Sequence, residues 1–136
     1  MIPGTNHLAI LIVDDDIDLC HLLKGVLKPR QYHVGTAHNL REAEECLAAI
    51  KPSVIFLDHN LPDGMGIQFI PKIRTYDKNI KIVVMTADTS AANEQKALRS
   101  GATYFLYKPF TPSVINDVID SLFSGNTEKV LSETIK

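Results

Sequence analysis

The chain lacks an excess of positive charge. Its 14 Lys and Arg stand against 16 Asp and Glu, a formal net charge of −2. Neither nucleic acid nor an anionic membrane surface is therefore expected as a direct partner. No apolar run approaches the roughly 18 residues that a membrane span needs. Residues 1–6 have no basic segment leading into an apolar stretch, so no signal peptide is expected. Cysteine is scarce: Cys20 and Cys46 both fall at apolar positions of helical patterns. That favours reduced core thiols in a cytoplasmic protein over a disulfide or a two-cysteine metal site. The five histidines (His7, His21, His33, His38, His59) show no metal-ligand spacing. Internal repeats and low-complexity blocks are also missing, and 136 residues fit one domain with a sizeable core.

What is present is a set of short apolar runs with a common ending. Leu8-Ala9-Ile10-Leu11-Ile12-Val13 leads into Asp14-Asp15-Asp16, and Val54-Ile55-Phe56-Leu57 leads into Asp58. Ile82-Val83-Val84-Met85 leads into Thr86, and Tyr104-Phe105-Leu106-Tyr107 leads into Lys108-Pro109. Runs that are apolar throughout suit strands covered on both faces. A fifth strand is expected over 32–37.

Helical periodicity alternates with these runs. Leu19, Leu22, Leu23, Val26 and Leu27 mark a helix stopped by Lys28-Pro29. Ala43, Cys46, Leu47 and Ile50 mark a second, with Asn39 as its cap and Glu42 completing a capping-box-like pattern. Leu61-Pro62-Asp63-Gly64 is turn chemistry. Ile67, Ile70 and Ile73 follow on a third helix, which Pro71 should loosen or kink. A fourth helix over 91–100 has only small or sparse apolar residues (Ala92, Ala97, Leu98), which predicts loose packing; Gly101 ends it. Thr111-Pro112 is a good N-cap and first-position pair for the strongly amphipathic last helix. The order is (βα)5, an α/β fold with a parallel sheet and helices on both faces. Residues 1–7 are expected as an N-terminal extension, 8–123 as the domain, and 124–136 as a polar tail or the start of a linker.

In such sheets ligands bind outside the carboxyl ends of the strands, where the acidic, hydroxyl and lysine residues fall. Asp14, Asp15 and Asp58 offer hard oxygens to Mg²⁺ (or Mn²⁺). Three carboxylates plus Lys108 sum to −2, which one divalent cation cancels, leaving the site open to a phosphoryl group. Asp58, alone after a buried strand and before a turn, is the best nucleophile. Lys108 and Thr86 can stabilise a phosphoryl group by charge and by a hydrogen bond. Taken singly, each residue has a plainer reading: an Asp after the first strand caps a helix, Asp58 forms a turn, Thr86 ends a strand, Lys108-Pro109 is a loop and Phe105 is a core aromatic. One of the first three aspartates is expected to be such a cap, and Asp16 is the choice. The joint placement at successive strand ends favours the site.

At this point the chain resembles the receiver domain of two-component response regulators. The resemblance rests on Ile-Leu-Ile-Val-Asp-Asp-Asp at 10–16, Phe-Leu-Asp-His-Asn-Leu-Pro-Asp-Gly-Met-Gly at 56–66, Met-Thr-Ala at 85–87 and Tyr-Lys-Pro-Phe at 107–110. It implies a flavodoxin-like doubly wound fold with strand order 2-1-3-4-5. It implies Asp58 as phosphoacceptor, and Asp14, Asp15, Asp58 and the backbone carbonyl of Asn60 as Mg²⁺ ligands. Lys108 takes the phosphate-binding place and Thr86 that of the switch hydroxyl. Phe105 stands where the switch aromatic is often Tyr, Pro109 follows a bond that is cis in the family, and Asn60 and Asp88 occupy the two positions that tune phosphoryl lifetime.

The function implied is a phosphorylation switch rather than an enzyme acting on other substrates. A histidine kinase or histidine phosphotransfer protein would supply the phosphoryl group to Asp58. The surface of the fourth helix, fifth strand and fifth helix would read it out, to an output partner or in a homodimer. Two other readings compete. An Asp-nucleophile phosphatase would want a second Asp shortly after the nucleophile, where this chain has Asn60. A phosphorylation-independent binding module of the same fold usually lacks one of the five site residues, and none is missing.

Overall fold

The computed structural model describes residues 8–88 and 90–123. The expected extension at 1–7 and tail at 124–136 lie outside them. Five strands, β1 (Ala9–Val13), β2 (His33–Ala37), β3 (Val54–Asp58), β4 (Lys81–Thr86) and β5 (Tyr104–Tyr107), alternate with five helices. The helices are α1 (Ile17–Leu27), α2 (Leu40–Ile50), α3 (Gly66–Tyr76), α4 (Ala91–Ser100) and α5 (Pro112–Phe123). All strand pairs in the sheet are parallel, in the order 2-1-3-4-5.

Alternation along each strand divides the core into two layers. Ile10 and Ile12, Val54 and Phe56, Val83 and Met85, and Tyr104 and Leu106 face Cys20, Leu23 and Leu27 of α1 and Ile115, Val118, Ile119 and Leu122 of α5. Leu11 and Val13, Ile55 and Leu57, Ile82 and Val84, and Phe105 face α2, α3 and α4. Every residue of β3 is buried, as a central strand in a doubly covered sheet requires. Full burial of a side chain such as Phe56 or Leu57 stabilises the fold by about 1.5–3 kcal/mol.

Local signals set the helix starts. Asp16 caps α1, its carboxylate accepting from the Leu19 N–H at 3.2 Å. Asn39 caps α2 through the Glu42 N–H, while Glu42 reaches back to the N–H of His38, one residue outside the usual capping box. The same helix end receives a distant carboxylate, since Asp63 accepts from the N–H groups of Leu40 (2.8 Å) and Arg41 (3.1 Å). These bonds hold the Asp63 pKa below its usual value. Thr111 caps α5 through Val114.

Three details add to the sequence expectation or differ from it. Helix α3 runs without a break through Pro71, since Ile67, Phe69, Ile70 and Ile73 anchor both of its halves in the core. The apolar face expected for α4 shrinks to Ala97; Ala92 and Leu98 are exposed. Positions 92, 97 and 98 do not share a stripe at about 100° per residue, so they cannot all meet the sheet. Cys46 is only partly buried, whereas Cys20 lies in the core, and both thiols are free. Residues 61–64 do turn, inside a small antiparallel pairing of Asn60–Leu61 with Gly64–Met65.

Candidate functional site

Parallel strands of similar length end on one edge, and loop backbone bonds align their last residues. The Asp14 N–H donates to the Ala37 carbonyl, that of His59 to Met85 and that of Lys108 to Thr86, all at 2.8–3.0 Å. This lattice brings Asp14, Asp58 and Thr86 to the floor of one crevice, each 4% exposed or less. The Lys108 ammonium bridges the two buried carboxylates, 2.8 Å from Asp14 Oδ2 and 3.0 Å from Asp58 Oδ1. The second oxygen of Asp14 accepts the Asp16 N–H at 2.9 Å, which fixes that carboxylate's rotamer.

Carboxylate oxygens of Asp14, Asp15 and Asp58 lie within 4.8 Å of one another. Two like charges at that separation repel by about 3 kcal/mol at an effective dielectric constant of roughly 20. Lys108 is the cation that contacts them, so the set keeps an excess of negative charge. Burial pushes the Asp58 carboxyl up to about 6, with the charges of Asp14 and Asp15 adding to it and the Lys108 hydrogen bond opposing it. Burial works against the Lys108 charge, but its hydrogen bonds to Asp14 and Asp58 outweigh that and raise its pKa. An all-oxygen donor set with uncancelled charge is chemically suited to a hard divalent cation, and this cluster can hold a metal ion.

The remaining residues singled out in the sequence lie in the strands and loops at the same sheet edge. Thr86 Oγ1 accepts the N–H of Asp88 at 3.0 Å. Phe105 is buried on the α4 side of the sheet, its ring edge-on to Tyr107 with centroids 5.3 Å apart. The Lys108–Pro109 peptide bond is cis. Asn60 is exposed at the start of the small antiparallel pair. Asp88 is exposed and engaged by α4: Oδ1 accepts the Ser90 N–H at 2.9 Å and Oδ2 accepts Asn93 Nδ2 at 2.6 Å.

Sequence reasoning overlooked three contributors. Gly66 opens α3 directly against β3: a Cβ there would overlap the Asp58 carbonyl oxygen and lie 3.1 Å from Leu57 Cγ. Cys20 lies beneath the crevice, with its thiol 3.3 Å from the Asp14 carbonyl. Burial, with the Asp14 and Asp16 charges, pushes this thiol up to about 11, so it stays protonated. His59 is buried beside the phosphoacceptor candidate, burial lowers its pKa, and its Nδ1 has no hydrogen-bond partner. The glycine alone had a local signal, falling at the start of a helical pattern that follows a turn.

The whole arrangement has close counterparts. The family model for the response regulator receiver domain matches residues 10–120. The chemotaxis protein CheY of Thermotoga maritima is 35% identical over 83% of this chain and 95% of its own length. The transcriptional regulatory protein PrrA of Mycobacterium bovis is 30% identical over 99% of this chain, which spans only 59% of that longer protein. The beryllofluoride-activated NtrC4 receiver domain dimer superposes with a TM-score of 0.81 at 34% identity, over 87% of this chain and 98% of that one. This chain therefore belongs to the response regulator receiver domain family, the phosphoacceptor modules of two-component signalling.

Proposed function

We propose that Asp58 is the phosphoacceptor of a two-component switch, supplied by a histidine kinase or histidine phosphotransfer protein in the cytoplasm. The observation that carries this reading is the Lys108 ammonium held between the buried carboxylates of Asp14 and Asp58. An Asp58 oxygen attacks phosphorus as the phosphorus–nitrogen bond of phosphohistidine breaks. An acyl phosphate forms on Asp58 and the imidazole leaves. Lys108 follows the charge that develops on the phosphoryl oxygens, and Thr86 donates its hydroxyl to one of them. Asp14, Asp15, Asp58 and the Asn60 backbone carbonyl would hold Mg²⁺ (or Mn²⁺), which when bound supplies charge neutralisation to the phosphoryl oxygens. Asn60 and Asp88, exposed just after β3 and β4, are assigned to phosphoryl lifetime. Phe105 is assigned to the packing movement that follows the turn of Thr86. The chain promotes only its own phosphorylation and dephosphorylation.

The surface of α4, β5 and α5 is assigned to readout, by an output partner or a second copy of the chain. It exposes Leu98, and the activated NtrC4 receiver is itself a dimer. No helix among the described residues is long and apolar enough to cross a membrane.

The test is incubation with acetyl phosphate and Mg²⁺, followed by intact mass and peptide mapping. One added phosphoryl group on Asp58, lost when Mg²⁺ is chelated, is expected. Label on another residue, or none, would overturn the assignment. Lys108→Met should slow labelling by ~10²–10³-fold, the usual cost of removing one charge-stabilising group from a transition state. It should also lower stability in metal-free buffer, since two buried carboxylates lose their cation. Initial labelling rates and a thermal melt measure the two effects separately.

A further inference from the structure

Helix α4 is held to the domain by very little apolar surface. Ala97 is its one buried side chain, and hydrogen bonds tie both of its ends to the domain. At its C-terminal end the Arg74 guanidinium donates to the Gly101 carbonyl, from Nη2 at 2.7 Å and from Nε at 3.3 Å. At its N-terminal end there are two ties. Asp88, bonded to Ser90 and Asn93, joins the first turn to the end of β4. The Tyr107 hydroxyl donates to Glu94 Oε1 at 2.8 Å and joins the same turn to β5. This second tie is partly buried, and its ring packs edge-on against Phe105. Burial and the Glu94 acceptor push the Tyr107 hydroxyl up to about 12, so the donor proton is present throughout the physiological range.

The first tie reaches Thr86, and the second holds the same turn of α4. Its hydroxyl oxygen is occupied by the Asp88 N–H, and Asp88 is fastened to α4. Thr86 cannot turn toward a phosphoryl group without releasing that N–H, and releasing it disturbs the turn that Glu94 and Tyr107 hold. We propose that Tyr107 is a positioning residue for the switch: through Glu94 it clamps the first turn of α4 and thereby keeps Thr86 in its resting orientation. This rests on the reading of Thr86 given above. It adds a residue that touches neither the phosphoryl group nor the crevice, and it makes the resting state the one favoured by the clamp.

Tyr107→Phe removes the hydroxyl and keeps the ring against Phe105. The first measurement is amide hydrogen exchange on the unphosphorylated chain. Exchange at Asp88 and in the first turn of α4 should rise about fivefold, the value of one ordinary hydrogen bond, with amides of β3 and α5 unchanged. The second is the initial rate of labelling by acetyl phosphate with Mg²⁺, which should rise by about the same factor as the competent state becomes more populated. Glu94→Ala should reproduce both effects, and Glu94→Gln, which keeps an acceptor, should restore wild-type behaviour. The double variant Tyr107→Phe with Glu94→Ala should go no further than either single change. Unchanged exchange, additive effects in the double variant, or faster exchange without faster labelling would each overturn the proposal. A wild-type chain that takes no label refutes the phosphoacceptor reading instead, and hydrogen exchange then decides alone whether the clamp exists.

Discussion

Asp58→Asn should abolish phosphoryl uptake and at the same time make the metal-free chain more stable. The first effect follows from the loss of the nucleophilic oxygen, since a carboxamide forms no acyl phosphate under these conditions. The second follows from electrostatics. Asp58 is buried, its carboxyl lies near two other carboxylates, and its pKa is pushed up to about 6. In the unfolded chain the same group titrates near 3.8. Folding therefore favours the protonated form. The contribution of this group to stability is complete below about pH 4 and is lost as the pH rises through about 6. At pH 7 the charged carboxylate costs the fold about 2–3 kcal/mol, from a shift of about two pKa units. Asparagine removes the charge, keeps the shape and keeps an oxygen for Lys108. In chelator at pH 7.5 its melting temperature should exceed that of wild type by on the order of 5–10 °C. The gap should close on acidification below pH 4, and Mg²⁺ should narrow it by stabilising the wild type. A variant that takes no label and is also less stable at pH 7.5 would identify Asp58 as a structural residue.

That opposition between function and stability helps to explain how much of the site was readable in the sequence. Asp14, Asp58, Thr86 and Lys108 each follow an apolar run of sequence, and a parallel sheet brings such ends together whatever the loops do. The helix starts at Asp16, Asn39 and Thr111 were readable for a similar reason: each cap bonds within three residues of itself. What was not readable depends on contacts between distant segments. The Asp63 carboxylate reaches α2 from more than twenty residues away, and no periodicity expresses that. The Tyr107–Glu94 bond joins a strand to a helix whose own sequence pattern is weak. In α4 the composition points to a weak apolar face, and of the three residues it marks only Ala97 is covered, because the angle of the helix against the sheet decides which small residue meets it. Pro71 is a local signal set against tertiary packing, since the helix continues past it. Its missing N–H is a local cost, and the buried isoleucines on either side of it are the tertiary term that offsets it.

Gly66→Ala should damage both the fold and the site, although alanine is normally the better helix former. Gly66 is the first residue of α3, and its N–H donates to the His59 carbonyl at 2.7 Å. The added Cβ would overlap the Asp58 carbonyl oxygen and stand 3.0 Å from the carbonyl carbon. These are main-chain atoms of a fully buried strand, so no rotamer change relieves the clash; either α3 or the end of β3 must move. Overpacking against a rigid neighbour costs about 1–3 kcal/mol and can exceed that range. A drop of about 3 kcal/mol is expected, measured by denaturant midpoint. Because the displaced backbone carries the Asp58 side chain, labelling by acetyl phosphate should slow by at least tenfold, as small misplacements of a reacting group commonly do. Gly25, inside α1, is the matched control. A Cβ at that position meets nothing within 4 Å, so Gly25→Ala should stabilise the chain by about 0.5–1 kcal/mol through helix propensity. The same chemical change thus carries opposite signs at two helix positions, and only the one beneath Asp58 should alter labelling. If Gly66→Ala folded and reacted like the wild type, the close approach of α3 to β3 would have no bearing on either.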